Sequence, residues 1–167
     1  MGLFRRRTPA PAPAGAGTPA PSWASEPAPA GTPSPVEGEP SQEVLALADF
    51  ALRHAVTSVV PAGGPLIPFA IVENAEGRRA LNRFVGDLFE AQQHARQQVR
   101  SAPGVVRAAI AWDGYLTGDG QRQDAVFVEA SDRGMPSIIV AHGYRDVPDA
   151  AEAVGNPVLV DRSDPLL

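Results

Sequence analysis

The sequence predicts an α+β domain with a single, largely antiparallel sheet and packed helices, preceded by a disordered arm rich in proline and alanine. Most of the 18 prolines lie before residue 41, whereas residues 41–167 alternate between helical and strand-like apolar patterns. The three most regular strand patterns follow one another across short turns. Such turns permit only antiparallel pairing, because a parallel crossover needs many more residues. The predicted element order is α-β-β-α-β-β-β-α.

Residues 1–40 form the predicted arm. From Thr8 to Pro40 the chain is mostly Pro, Ala, Gly, Ser and Thr, so it lacks the bulky apolar groups that would offset the entropy of ordering. The first seven residues are a candidate docking peptide for an acidic partner, or for weak peripheral contact with an anionic membrane; the alternative is a frayed, charged terminus. The candidate interaction residues there are Leu3, Phe4, Arg5, Arg6 and Arg7.

The domain, residues 41–167, begins with a helix over about 42–59. Ser41 has the residue type preferred at an N-cap, and the apolar residues that follow recur at helical spacing. A short apolar run over 66–73 then predicts a strand. Pro68 places the first half of that run at a sheet edge or before the ladder, because proline donates no backbone hydrogen bond.

The stretch from 78 to 101 has two interpretations. Its apolar residues fit a single helix, but Gly86 interrupts the pattern, and Asp87 is a suitable N-cap for a helix that begins after it. We therefore favour a strand over 78–85 and a helix over 88–101.

Three strands follow, over 105–112, 124–130 and 137–144, with turn residues between them, and the first of them alternates along its length. After them we expect a short helix over about 149–154 and a last short strand over 158–160. Over about 41–155 this order of elements resembles the roadblock/LC7 and profilin-like α-β-α sandwiches. The resemblance lies in element order alone and implies a fold, not an activity.

The composition excludes several classes of chemistry. Cysteine is absent, which removes disulfides and cysteine-bound metals, and the absence of lysine removes Schiff-base chemistry. With 11 Arg against 16 acidic residues, residues 41–167 carry the whole formal charge of −5, which argues against nucleic-acid binding. No apolar run approaches the roughly 18–20 residues of a membrane span. We expect a cytoplasmic protein with no cofactor and no bound metal.

His142 is the strongest candidate for chemistry. It alternates with Ile138 and Val140, so it shares their strand face. Asp124 or Glu129 on the preceding strand could pair with it to form a general base. The alternative is a satisfied or surface histidine, since no nucleophile or oxyanion donor completes a site. His142, Asp124 and Glu129 are therefore the candidate residues for an alternative function, a small enzyme or ligand-binding domain.

Trp112 and Tyr115, at the end of a predicted strand, are candidate interface residues, because exposed aromatic side chains often anchor protein contacts. The alternative for Trp112 is a place in the core. The best-supported function is a small bacterial interaction or regulatory module, non-enzymatic, held to an unidentified protein partner by its arm. A homodimeric scaffold of roadblock/profilin-like topology is a further alternative.

Overall fold

A computed structural model describes residues 38–118 and 120–167 of the chain. The predicted arm and its candidate interaction residues, Leu3 to Arg7, lie outside these residues. The arm and its border at residue 41 therefore stay predictions.

The first helix and the first strand lie where the sequence places them. Helix α1 is Gln42–Val59, and the Ser41 side chain caps it by accepting a hydrogen bond from the Val44 amide at 3.0 Å. Strand β1 is Phe69–Asn74. It begins directly after Pro68, so the proline lies before the ladder, as predicted.

A strand and a separate helix occupy the ambiguous stretch. Strand β2 is Arg79–Arg83 and helix α2 is Leu88–Ser101. The Asp87 side chain caps α2 by accepting from the Phe89 amide at 2.9 Å. Gly86 has a positive φ of 139°, a conformation that suits glycine and turns the chain between the two elements. The alternative of one helix over 78–101 is therefore wrong.

Four long antiparallel strands complete the fold, and they differ from prediction at the end. Ala150 pairs with Val147 across a two-residue turn, Pro148–Asp149, so the predicted helix over 149–154 is wrong. Asp149 has φ of 63°, which lies in the left-handed region and outside the range of an α-helix. The strands are β3 Val105–Gly118, β4 Gln121–Asp132, β5 Ser137–Val147 and β6 Ala150–Ser163.

The six strands form one antiparallel sheet in the order β2-β1-β3-β4-β5-β6. Helix α1 packs on one face and α2 on the other, so the described residues form three layers with a core on each side. The α+β class and the antiparallel sheet are confirmed. The observed order, α-β-β-α-β-β-β-β, ends in a strand, so only its first seven elements agree with the predicted order and with the resemblance drawn from it.

Neither α1 nor α2 is long and apolar enough to cross a membrane.

The two cores contain different side chains. The α1 core includes Leu47, Leu52, Phe69, Ile71, Val126 and Val128. The α2 core includes Ala95, Val99, Ala108, Ile110 and Leu166.

Candidate functional site

A cleft of about 440 Å³ opens at the end of the sheet where β1 begins and β2 ends. Three parts of the chain line it: residues 65–68 leading into β1, the connection from β2 to α2, and facing residues of β3 and β4. Prolines at positions 65 and 68 keep the first segment out of the ladder. We call this feature the cleft.

Large apolar side chains surround the cleft. Val85 is 87% exposed, and Ile67, Leu88 and Tyr115 are each between 42% and 50% exposed. Phe89, which follows Leu88 in the chain, is 69% exposed. Single exposed apolar residues are ordinary, but a contiguous group around a concavity is typical of a binding surface.

A hydrogen-bonded carboxylate lies on the floor of the cleft. The Tyr144 hydroxyl donates to Asp113 Oδ1 at 2.9 Å, and the Leu66 amide donates to Asp113 Oδ2 at 3.2 Å. Burial raises the pKa of Asp113, helped by the charge of Asp124 and opposed by these hydrogen bonds. Burial and the Asp113 carboxylate also raise the pKa of Tyr144, which remains a donor. Asp113 therefore fixes the 65–68 segment to the sheet.

The second carboxylate of the cleft, Asp124, is placed differently. It lies directly opposite Tyr115 in the β3–β4 ladder and is exposed. Within residues 38–118 and 120–167 its side chain makes no hydrogen bond. The neighbouring Arg122 guanidinium lies over the Tyr115 ring, 3.3 Å from the centroid. The cleft thus presents an apolar rim and one carboxylate with open acceptor positions.

The structure does not bring the two predicted aromatic interface residues together. Tyr115 lies in the cleft, on the α1 side of the sheet. Trp112 lies on the α2 side, where it packs against the core and stacks on Phe127 with ring centroids 5.8 Å apart. Successive residues of a strand point to opposite faces, which explains the separation.

His142 lies on the α1 side of the sheet, directly opposite Val126. Its Nε2 atom is 3.2 Å from the carbonyl oxygen of Gly155 in β6. Asp124 is on the same face, but in the described part of the chain no hydrogen bond joins it to His142. Asp124 lines the cleft, whereas the His142 ring contacts the edge strand β6.

Glu129 lies on the other side of the sheet from His142, opposite Ile110. Only 1% of it is exposed. Its Oε1 atom accepts from the Ser137 hydroxyl at 2.8 Å, and its Oε2 atom is 2.5 Å from Arg96 Nη2 of α2. Because the sheet separates them, the structure does not bring Glu129 and His142 together. The ion pair instead ties α2 to β4.

Four residues of the cleft were not predicted as site residues: Ile67, Val85, Leu88 and Asp113. A signal was present in the first two. Ile67 lies between Pro65 and Pro68, and Val85 precedes Gly86. Such breakers place both residues outside the ladder and the helix, but the signal is not specific, because Leu66 lies between the same prolines and is buried in the α1 core.

Among residues 38–118 and 120–167, no three acidic or histidine side chains are grouped so that they could hold a metal ion. Comparisons with family models, with curated proteins and with solved structures find no significant match to this chain.

Proposed function

We propose that this protein is a non-enzymatic interaction module that binds a partner protein through the cleft, with its N-terminal arm as a tether. The observation that carries the proposal is the exposed apolar rim formed by Ile67, Val85, Leu88 and Tyr115. Apolar surface held in water costs roughly 25 cal/mol per Å², and a partner that covers the rim recovers that free energy.

The tether is supported by the composition of residues 1–40. A Pro/Ala-rich segment with few bulky apolar groups, here chiefly Leu3, Phe4 and Trp23, behaves as a semi-extended spacer. Such a spacer raises the effective concentration of a second contact once the first has formed. A cleft on the domain and a docking peptide at the end of the arm would therefore reinforce each other.

The enzyme alternative has less support in the geometry. A general base formed by His142 requires a carboxylate within hydrogen-bond reach and an open cavity for a substrate. Glu129 is on the opposite face of the sheet, and the His142 ring contacts the Gly155 carbonyl. The cleft lies elsewhere and does not include His142.

The homodimer alternative would use the edge strand β6, where Val158, Leu159 and Val160 are exposed. Pro157 lacks a backbone donor, and the β5–β6 register shifts at two places. Interruptions of this kind hinder pairing between sheet edges. The cleft is therefore the better-supported contact surface.

A photo-crosslinking experiment tests the proposed function. A benzophenone amino acid replaces Val85 in the full chain, in cells that make the protein, and replaces Leu159 of β6 as a matched control, since Leu159 is also exposed. We expect a partner to be labelled from position 85 and not from position 159. The partner is then purified and its affinity measured by calorimetry.

In that measurement Val85→Ser should weaken binding about tenfold, because the rim loses an apolar side chain that the partner covers. Leu159→Ser should bind like the unmodified chain. Equal labelling from both positions, or unchanged affinity of Val85→Ser, would remove the cleft as the contact surface.

A further inference from the structure

We infer that the cleft binds a basic–apolar peptide, a short segment of a partner protein in which large apolar residues adjoin arginine or lysine. The inference rests on the proposed function and adds the chemistry of the partner. Its basis is the combination of the exposed rim with the carboxylates of Asp113 and Asp124, which also line the cleft.

The two carboxylates have different roles toward an occupant. Asp113 already accepts hydrogen bonds from Tyr144 and from the amides of Leu66 and Gly114. Asp124 is exposed and, within the described ranges, accepts none, so its oxygens are available to an incoming donor. An occupant that covered Asp124 without donating to it would pay the desolvation cost of an unpaired carboxylate.

The basic side chains near the cleft do not cancel its attraction for a cationic occupant. Arg122 is held over the Tyr115 ring. A second cleft, which shares Arg122 and Asp124 with the first, adds Asp146 and Arg145. The Arg145 guanidinium is 3.0 Å from Glu152. Three carboxylates, of Asp113, Asp124 and Asp146, line the two clefts. Of the two arginines there, only Arg122 has no carboxylate partner within the described ranges, so the acidic excess favours a cationic partner.

The form of the cleft favours a peptide over a small molecule. Its volume is within the usual range for ligand sites, but such sites bury most of their ligand. Here the rim residues Val85, Ile67 and Tyr115 are half or more exposed. An open groove of this kind suits a chain segment that inserts one or two apolar anchors and places a neighbouring cation beside Asp124.

Fluorescence anisotropy with three labelled peptides and the full chain tests the inference. Each peptide carries the fluorophore on its N-terminal amine: the probe is GFVRKG-NH2; one control, GFVEDG-NH2, reverses the charge, and the other, GSNRKG-NH2, removes the apolar anchors. We expect the probe to bind at least tenfold more tightly than either control. Its affinity should also fall as salt rises from 20 mM to about 500 mM, because the ion pair is screened.

Two carboxylate variants make the test specific. Asp124→Asn should weaken binding of the basic probe about tenfold, the usual scale of a lost charge-assisted hydrogen bond. Asp164→Asn is the matched control, since Asp164 is an exposed acid near the other end of the sheet. Neither aspartate side chain makes a hydrogen bond in the described part of the chain, so both variants should fold alike.

Equal affinity for the basic and acidic peptides, or equal behaviour of the two variants, would overturn the inference. The proposed function would then still stand if crosslinking from position 85 captured a partner whose contact segment is neutral or acidic. Absence of any partner at position 85 would instead remove the proposed function. The two failures are therefore distinguishable.

Discussion

Single residues tie α1 to the sheet through a row of charges. Arg79, Glu73, Arg107 and Asp132 lie at directly opposing positions on four neighbouring strands. Both arginines donate to Glu73, and Arg107 Nε also donates to Asp132 at 3.1 Å. The Ser41 hydroxyl, at the N-cap of α1, donates to Asp132 at 2.5 Å. The row therefore fixes the start of the helix over the sheet.

Glu73 is the centre of this row and is only 4% exposed. Burial would raise the pKa of its carboxyl, but the hydrogen bonds and charges of Arg79 and Arg107 outweigh burial and hold the pKa below its ordinary value. A lowered folded-state pKa stabilises the fold above the unfolded-state pKa of about 4.3. That contribution is lost as the pH falls through the lower, folded-state pKa.

The variant Glu73→Gln should lower the free energy of unfolding by about 2 kcal/mol at pH 7. Removal of one partner from a buried ion pair costs more than this, but Arg79 is partly exposed and water screens its charge. The deficit should begin to shrink as the pH falls below the unfolded-state pKa of about 4.3, and it should vanish below the lower folded-state pKa, where the folded wild-type carboxyl is also neutral. Urea denaturation at pH 7 and pH 3 measures both effects.

Glu76→Gln is the control, because Glu76 and its arginine partner are both largely exposed. It should change the free energy of unfolding by less than about 0.5 kcal/mol. Equal deficits for the two variants at pH 7 would show that the buried row does not stabilise the fold.

At the scale of whole elements, both helices were predictable because their start signals are local. Ser41 and Asp87 each cap a helix within three residues of their own positions. The segment over about 149–154 was predicted as a short helix, and its three alanines and one glutamate do favour that state. It is a strand because β5 pairs with it across the turn. Pairing between strands is a tertiary effect, and it overrides weak local preference.

The Pro148–Asp149 turn gives a prediction about this hairpin. Because Asp149 has φ of 63°, Asp149→Val should destabilise the fold by about 1–2 kcal/mol, the cost of a β-branched side chain in the left-handed region. Asp149→Gly should stay within about 0.5 kcal/mol, since relief of strain is offset by the greater freedom of the unfolded chain. Urea denaturation of the two variants measures the difference, and equal stabilities would exclude a left-handed requirement at this position.

At the scale of the whole described domain, the sequence predicted one antiparallel sheet but not the side on which each helix lies. An amphipathic helix shows that one face is buried and does not show against which side of a sheet. The run Ala108–Ala111 is apolar at every position, which indicates a strand covered on both faces. All four residues are buried, so both faces of β3 are covered there. The cleft could not be predicted, because it combines segments near residues 66, 85 and 113–124 that only the fold brings together.

Small side chains on both layers let α1 approach the sheet closely. Ala48, Ala51 and Ala55 of the helix and Ala109 and Ala111 of β3 are all buried in the same core. Packing of this kind leaves no space for added methylene groups. The distance between the layers therefore depends on these alanines.

Ala51→Leu should accordingly destabilise the domain by about 1–3 kcal/mol, the usual cost of overpacking a filled core. Ala46→Leu is the matched control, because Ala46 is exposed on the same helix and the change in helix propensity is the same. It should stay within about 0.5 kcal/mol of the wild type. Thermal and urea unfolding measure the difference in stability between the two variants. If Ala51→Leu is as stable as Ala46→Leu, α1 is free to shift away from the sheet, and the close packing of the three layers does not limit the core.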